Sequence, residues 1–344
     1  MAGCHTRSRF GSDNITSGLG SVVTIDSAAP TAEVYDKNET TPVDLTKVIV
    51  SVDGTAKSDA TSADAHVGSI VGFKLTGSTN NWIDKDTIRT SWEVTDTPTN
   101  MTIDQDSIVV KFNGTELLED AYTVEATESS LKITVPMTDA NGNSIYPANL
   151  GTEAGLIPNE ITYSATINKE AASAPAKNEI PGSEIVINTY AFQVAKTDGK
   201  DPLPGAQFEL WANDAALTFI DNGDGTYTYS ADGTVTTLDM TTNTTISVKG
   251  LDNTWTYTLK EVTVPAGYNK ADDVTINGSS LTKVEEGTDT SMTSTALFKE
   301  TVENKKGAEL PTTGGMGTTI FYIVGSVLVI GTAVVLISKR RMAR

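Results

Sequence analysis

Short runs in which apolar and polar side chains alternate recur along most of the chain, separated by turn-forming residues. Alternation with a period of two is the pattern of a β-strand that has one face in a core. The clearest predicted strands are 47–52, 69–75, 107–112, 131–135, 160–167, 190–196, 207–211, 226–230, 245–249 and 256–262. Apolar positions at helical spacing are scarce between them. The pattern therefore predicts an all-β protein of β-sandwich type and argues against a Rossmann fold or an α/β barrel.

Two glycine-containing loops, 139–143 and 221–225, contain several Asp and Asn residues and raise the alternative of calcium binding. Neither has the spacing of an EF-hand loop, which ends in a glutamate. Asn-Gly and Asp-Gly pairs between alternating runs are typical of hairpin turns. We interpret both loops as turns, and we expect neither a metal site nor a cofactor.

The strand pattern changes near residue 189. The piece before it, 170–182, is rich in Ala and Pro, and a new alternating run begins at residue 190. We predict two β-sandwich domains, the first at 41–188 and the second at 189–305. Residues 1–40 are interpreted as an N-terminal remnant and linker, and 306–344 as a separate C-terminal segment.

The C-terminal segment contains an uncharged apolar stretch, 318–338, followed by four basic residues: Lys339, Arg340, Arg341 and Arg344. A helix of that length spans roughly 31 Å, the thickness of a bilayer core. Basic residues directly after it predict a cytoplasmic C-terminus. We therefore predict a single transmembrane helix, with the rest of the chain outside the cell.

Charge and composition narrow the function classes. Acidic residues number 44 against 25 basic ones, for a net charge of −19. Since the basic tail contributes +4, the remainder carries −23, which argues against nucleic-acid binding. Cys4 is the only cysteine and there are two histidines, so the inventory excludes an intramolecular disulfide and disfavours zinc clusters and Ser- or Cys-type triads.

A short motif precedes the apolar stretch and consists of Leu310, Pro311, Thr312, Thr313 and Gly314. With the apolar helix and the basic tail it resembles the tripartite cell-wall sorting signal of Gram-positive surface proteins. The resemblance implies that a sortase cysteine attacks the Thr313 carbonyl, releases Gly314 and passes the acyl group to an amine. Membrane attachment is then transient, and the expected location is a secreted, wall-anchored surface structure.

The second domain contains a further set of motifs at 192–198, 203–210, 257–268 and 301–304. They resemble the Cna-B-type domain of Gram-positive pilins and adhesins, an immunoglobulin-like β-sandwich. By the period of two, Lys196 lies on the apolar face of its strand and Glu261 on the apolar face of another. Burial favours the neutral forms of amines and carboxylic acids, which suits nucleophilic attack on an amide.

The resemblance implies an isopeptide bond between Lys196 and Asn304, with Glu261 as the catalytic carboxyl. The alternative is that Lys196 and Glu261 form a buried ion pair, or that the lysine extends to the edge of the sheet.

The first domain resembles the preceding domain of backbone pilins, in part through the strand at 163–168. The analogous set is Lys47, Asp96 as the catalytic carboxyl, and an asparagine near the end of the domain. Asn188 is the first choice for that asparagine and Asn178 the second. In the competing interpretation these are ordinary surface residues.

Residues 34–38 (Val-Tyr-Asp-Lys-Asn) resemble the pilin motif, whose lysine accepts the threonine acyl group of the next subunit. Lys37 is the corresponding residue, and Asp36 stands where proline is usual. The alternative is an exposed lysine in a linker. Residues 1–21 have no apolar core of a signal peptide, so we expect this sequence to lack a signal peptide and a first domain.

These resemblances imply the structural subunit of a covalent pilus, in which Thr313 of one copy joins Lys37 of the next. The chain is expected to be a sortase substrate and not a turnover enzyme. Its implied partners are a class C pilin sortase, a housekeeping sortase, other copies of itself, minor and tip pilins, peptidoglycan and an unidentified host surface or matrix ligand. The alternatives are a monomeric wall-anchored adhesin on β-sandwich stalks and a surface hydrolase, although no motif groups the acidic residues as a hydrolase requires.

Overall fold

The computed structural model describes residues 43–80, 82–84, 87–127, 129–146 and 156–307, with residues 324–326, 328–332 and 339 of the C-terminal segment. Residues 43–307 form two β-sandwiches in tandem, each around its own apolar core. The predicted all-β sandwich class is therefore confirmed.

The first sandwich contains fourteen strands within its described residues. They are β1 (Val43–Val52), β2 (Thr55–Ala60), β3 (Ser62–Asp64), β4 (Ile70–Thr79), β5 (Trp82–Asp84), β6 (Thr87–Ile88), β7 (Ser91–Thr99), β8 (Met101–Phe112), β9 (Thr115–Glu116), β10 (Thr123–Thr127), β11 (Ser130–Pro136), β12 (Ile157–Ile167), β13 (Ala176–Ile180) and β14 (Ser183–Asn188). Short 3₁₀ helices lie at Glu119–Ala121 and Lys169–Ala172.

Two sheets enclose the first core, in the strand orders β2-β1-β4-β12-β8-β9 and β10-β11-β7-β13-β14-β3, and β5 and β6 form a separate hairpin. Alternate residues of the central strands point inward, as the period of two requires. On β7 the buried series includes Trp92, Val94 and Asp96. A carboxylate therefore occupies a position that the strand pattern assigns to the core.

The second sandwich contains eleven strands within its described residues. They are β15 (Tyr190–Thr197), β16 (Ala206–Ala212), β17 (Ala215–Ala216), β18 (Phe219–Asp221), β19 (Thr226–Tyr229), β20 (Leu238–Met240), β21 (Thr245–Leu251), β22 (Thr256–Thr263), β23 (Val274–Asn277), β24 (Thr282–Lys283) and β25 (Lys299–Glu303). A 3₁₀ helix lies at Gly278–Ser280.

One sheet of the second sandwich has the order β18-β19-β21-β15-β24, with β25 also paired to β15, and the other has the order β17-β16-β22-β23, with β20 on β16. The first and last strands, β15 and β25, are parallel neighbours. This pairing brings the two ends of the domain together in one sheet.

The two sandwiches pack directly on each other. The Tyr190 hydroxyl donates to Asp64 Oδ1 at 2.7 Å, and Asn253 Nδ2 donates to Asp64 Oδ2 at 3.1 Å. The amide of Val67 donates to the carbonyl of Gly250 at 3.0 Å. Gly250 has φ +80°, and a Cβ there would lie 2.8 Å from Val67 Cγ2, so glycine permits this close approach.

In the C-terminal segment, residues 324–326 and 328–332 are helical. Among the described residues no helix has the length and apolar character needed to cross a bilayer. Part of the predicted transmembrane helix, 318–338, lies outside the described residues. All of residues 1–40 lie outside them.

Candidate functional site

The second sandwich brings Lys196, Glu261 and Asn304 together in its core. Lys196 lies on β15 opposite Val302 of β25. The amide of Asn304 donates to the carbonyl of Thr197 at 3.0 Å, which extends this pairing to the end of the domain. Glu261 lies on β22 of the opposite sheet. At most 1% of each of the three residues is exposed.

Hydrogen bonds hold the Asn304 carboxamide by its nitrogen. Nδ2 donates to Glu261 Oε2 at 2.9 Å and to the carbonyl of Asn269 at 2.7 Å. The amide of Ala271 donates to the same Glu261 oxygen at 2.7 Å. Asn304 Oδ1 and Glu261 Oε1 are buried without a hydrogen-bond partner. The Asn304 carbonyl oxygen is therefore buried next to a carboxyl group without a donor of its own.

The amine of Lys196 donates to two backbone carbonyls, those of Thr197 at 3.2 Å and Val302 at 3.3 Å. Burial lowers the pKa of Lys196, and this effect outweighs the opposing attraction of Glu261. A lysine that is 1% exposed does not extend to solvent. The arrangement therefore places an amine with weakened affinity for its proton in the same dry core as a carboxamide.

The first sandwich contains a second buried cluster, assembled from both of its sheets. Lys47 on β1 and Tyr163 on β12 come from one sheet, while Asp96 on β7 and Asn178 on β13 come from the other. Asn178 pairs with Pro98, two residues beyond Asp96, so Asn178 and Asp96 share the inward face. All four residues are at most 3% exposed.

A chain of hydrogen bonds connects the four side chains. Lys47 Nζ donates to Asp96 Oδ1, and the Tyr163 hydroxyl donates to Asp96 Oδ2. Asn178 Nδ2 donates to the Tyr163 hydroxyl at 2.7 Å. Asn178 Oδ1 is buried without a partner. As in the second sandwich, a buried carboxamide with an unpartnered carbonyl oxygen belongs to the same cluster as a lysine and a carboxyl group.

Electrostatics distinguish the lysine and the tyrosine of this cluster. Burial lowers the pKa of Lys47 to about 8, although Asp96 acts in the opposite direction. Burial, and then the adjacent Asp96, raise the pKa of Tyr163 well above its ordinary value. Tyr163 therefore keeps its proton at neutral pH, while Lys47 gives up a proton more readily than an exposed lysine.

Asn188, the first-choice partner of Lys47, lies outside this cluster. Its Nδ2 donates to Asp64 Oδ1 at 3.1 Å, at the junction of the two sandwiches. On β14 the residues that face the core are Ile185 and Ile187, so the period of two turns Asn188 away from it. The structure therefore places Asn178, the second choice, in the buried cluster with Lys47 and Asp96, and Asn188 outside it.

Sequence reasoning also missed Tyr163 as a member of the site. Tyr163 belongs to the strand motif at 163–168, and a tyrosine hydroxyl on the buried face of that strand is the signal that identifies it. A buried tyrosine hydroxyl needs a hydrogen-bond partner, and here it has two.

The other predicted site residues cannot be placed in the fold. Lys37 and the motif Leu310, Pro311, Thr312, Thr313 and Gly314 lie outside the described residues. Within the described ranges, no group of three or more His, Cys, Asp or Glu side chains is arranged to hold a metal ion.

Comparison with family models covers the second sandwich and the C-terminal segment. Residues 190–290 match the model of the SpaA family, described as a prealbumin-like fold domain. Residues 302–343 match the LPXTG cell wall anchor motif. Most of the second sandwich is thus similar to a SpaA-type domain, and the chain is a cell-wall-anchored surface protein. No curated protein matches the chain.

Among the solved structures that match this chain are two that cover its tandem fold. The pilus 2b backbone protein of group B streptococcus is 20% identical, with a TM-score of 0.51 over 77% of this chain and 99% of that one. The 35 kDa C-terminal fragment of the major pilin GBS80 of Streptococcus agalactiae is 18% identical, with a TM-score of 0.53 over 77% of this chain and 100% of that fragment. The chain therefore has the fold of these pilins.

Proposed function

We propose that the chain is the backbone subunit of a covalent, wall-anchored pilus and that each of its two sandwiches closes an intramolecular Lys–Asn isopeptide bond. The observation that carries this proposal is the pair of buried clusters. Each combines a lysine, a carboxylic acid and an asparagine in a core position, where unpaired polar groups are expensive. The pilin fold and the LPXTG anchor support the assembly part of the proposal.

In the second sandwich, the Lys196 amine attacks Cγ of Asn304. Glu261, which contacts the amide nitrogen, accepts a proton from the attacking amine and delivers one to the leaving nitrogen. A C–N bond to Lys196 forms, the bond from Cγ to Nδ2 breaks, and ammonia leaves. The carboxyl ends in its starting state, but the product is permanent, so each chain reacts once and no turnover follows.

In the first sandwich, Lys47 attacks Asn178 in the same way, with Asp96 as the carboxyl. This bond joins residues 131 positions apart, and the bond in the second sandwich joins residues 108 positions apart. By the chain-entropy model for cross-links, closing a loop of about 100 residues stabilises a fold by about 4.7 kcal/mol. An amide also resists reduction, which suits a surface protein with a single cysteine.

Polymerisation uses groups at the two ends of the chain. Thr313 supplies the acyl group and Lys37 the amine, so each copy carries both halves of the linkage. Head-to-tail joining of identical units that does not close into a ring produces a filament. A class C pilin sortase would form these links, and a housekeeping sortase would attach the base to peptidoglycan. The resemblance to pilins also implies minor pilins and a host ligand as partners of the chain. The role of the assembled pilus would then be adhesion.

Intact mass of the folded chain tests the cross-links. Each bond removes one ammonia, about 17 Da, so two losses are expected. Lys47→Ala and Lys196→Ala should each prevent one of the two ammonia losses. Lys57→Ala, at an exposed position of β2, should leave both losses in place. A wild-type mass with no loss would contradict the cross-link proposal.

Pilus assembly is tested separately in cells that carry the cognate sortase. Wild-type chains should form a ladder in SDS, and Lys37→Ala should collapse the ladder to monomer. A wild-type chain that remains monomeric while both ammonia losses are present would favour the wall-anchored adhesin instead.

A further inference from the structure

The two clusters differ in how the carboxyl group reaches the asparagine. In the second sandwich, Glu261 Oε2 accepts directly from Asn304 Nδ2 at 2.9 Å. In the first sandwich, the two Asp96 oxygens are engaged by Lys47 and Tyr163. Asn178 Nδ2 instead donates to the Tyr163 hydroxyl at 2.7 Å. Aspartate is shorter than glutamate by one methylene, and the tyrosine hydroxyl fills the resulting gap.

We propose that Tyr163 is a catalytic residue of the first cross-link, relaying a proton from Asp96 to the leaving nitrogen of Asn178. This inference rests on the proposed function, since it concerns the bond between Lys47 and Asn178. The hydroxyl qualifies because it contacts the atom that leaves, and the same oxygen contacts the acid that supplies the proton.

The proton balance is complete with the groups present. Asp96 first takes a proton from the Lys47 ammonium, along the hydrogen bond that joins them. The neutral amine then attacks Cγ of Asn178. As the Cγ–Nδ2 bond breaks, the Tyr163 hydroxyl passes its proton to Nδ2 and receives the proton held by Asp96. Asp96 meanwhile takes the second proton of Lys47, and ammonia leaves and accepts that proton as ammonium.

The surroundings of Tyr163 favour a relay over an ionised tyrosine. The residue is 3% exposed and pairs with Phe73 across the β12–β4 ladder, so its ring position is set by the sheet. Burial keeps its hydroxyl protonated, as the raised pKa indicates. A hydroxyl that donates and accepts at the same time can pass a proton without carrying a charge in a low-dielectric core.

Tyr163→Phe tests the relay because it removes only the hydroxyl. The measurement is the fraction of Lys47–Asn178 cross-linked peptide, followed by mass spectrometry with time after synthesis of the full chain. We expect formation to slow by about 10²- to 10⁴-fold, the range for loss of a proton-transfer group. The Lys196–Asn304 peptide in the same sample is an internal control and should form at the wild-type rate.

Tyr190→Phe is the matched control. This substitution also removes the hydroxyl of a buried tyrosine that donates to an aspartate, Asp64. Tyr190 lies outside the cluster. Both cross-links should form normally in this variant. Equal rates in Tyr163→Phe and in wild type would overturn the relay.

A fluorotyrosine at position 163 separates proton transfer from packing, including the case in which Tyr163→Phe fails to fold. Fluorination makes the hydroxyl more acidic and keeps the ring and its hydrogen bonds. The relay predicts a changed rate and a shifted pH profile for the first cross-link alone, whereas an unchanged profile would overturn it. If wild type itself lacks the Lys47–Asn178 peptide, the proposed cross-link fails, and that result is distinct from failure of the relay.

Discussion

The two sandwiches place the same three kinds of residue by different routes. In the second, Lys196 and Asn304 lie at the ends of neighbouring parallel strands of one sheet, and Glu261 comes from the opposite sheet. In the first, Lys47 comes from one sheet, while Asp96 and Asn178 come from the other. The proposed chemistry thus requires proximity in a dry core and not a particular strand order.

The difference has a mechanical consequence if both bonds form. The bond in the second sandwich would join strands within a sheet, and the bond in the first would join the two sheets. Each bond would span most of its domain. In the first sandwich, Lys47 lies on the first strand and Asn178 on the second-last strand; in the second, Lys196 lies on the first strand and Asn304 directly after the last. Tension along the chain would therefore bypass residues 48–177 and 197–303.

The largest expected effect is the difference between alanine variants of the two candidate asparagines of the first sandwich. Asn178→Ala should prevent the cross-link, restore one ammonia mass and lower the free energy of unfolding of that domain by about 4.7 kcal/mol, the value for closing a long loop. Asn188→Ala should keep both cross-links, since Asn188 bonds Asp64 instead. Intact mass and calorimetry check both variants, and loss of the cross-link in Asn188→Ala alone would reverse the assignment.

A second variant tests the carboxyl of the second sandwich. Glu261→Gln keeps the shape of the side chain but removes its capacity to accept a proton. The Lys196–Asn304 bond should then fail to form, at a similar cost of about 4.7 kcal/mol in that domain, while the first cross-link remains. Glu303→Gln, at an exposed position on β25, is the control and should retain both bonds. A normal cross-link in Glu261→Gln would show that Glu261 is dispensable.

The pH dependence of an unlinked first sandwich follows from its lysine. In Asn178→Ala, Lys47 remains an amine, with a pKa of about 8 when folded and 10.5 when unfolded. Because the unfolded chain binds the proton more tightly, stability should rise between pH 8 and 10.5, by about 3 kcal/mol in total. Denaturant unfolding across this range measures the rise. Lys47→Met in the same background should remove it, and a flat profile in Asn178→Ala would contradict the lowered pKa.

The smallest expected effect concerns the contact between the two sandwiches. Tyr190→Phe removes the hydroxyl that donates to Asp64 across the junction and should cost about 1 kcal/mol. Calorimetry should then show the two unfolding transitions moving apart. Tyr268→Phe, which removes a 3.2 Å bond to Asp198 within the second sandwich, should leave their separation unchanged. An unaltered profile in Tyr190→Phe would show that this bond does not couple the domains.

The sequence alone is sufficient to predict that two of the three side chains of the second cluster face the core. The alternation around Lys196 and Glu261 predicted strands, and the period of two predicted that both side chains face inward, as the structure confirms. Their partner, Asn304, came from the family motif. Local patterns carry this information because side-chain direction in a strand depends only on position along the strand.

The first cluster was predicted less completely, and the reason lies in two strands. The Ala and Pro content of residues 170–182 indicates the approach to a domain boundary, yet these residues include β13, which places Asn178 in the core. β7, which carries Asp96, was not among the predicted strands. Both are stabilised by pairing with distant strands, and such pairing overrides weak local preference.

The β class, the excess of acidic residues, the wall-anchor motif and the buried side of the clearest strands can all be inferred from local stretches of the sequence. Which side chains meet in the first core depends on the fold: Asn178 joins the cluster of Asp96 and Asn188 does not, and Tyr163 lies between Asp96 and Asn178. The reason is physical. Direction along a strand is a local property, whereas contact across a sandwich depends on sheet order and register, which arise from pairings between residues far apart in the chain.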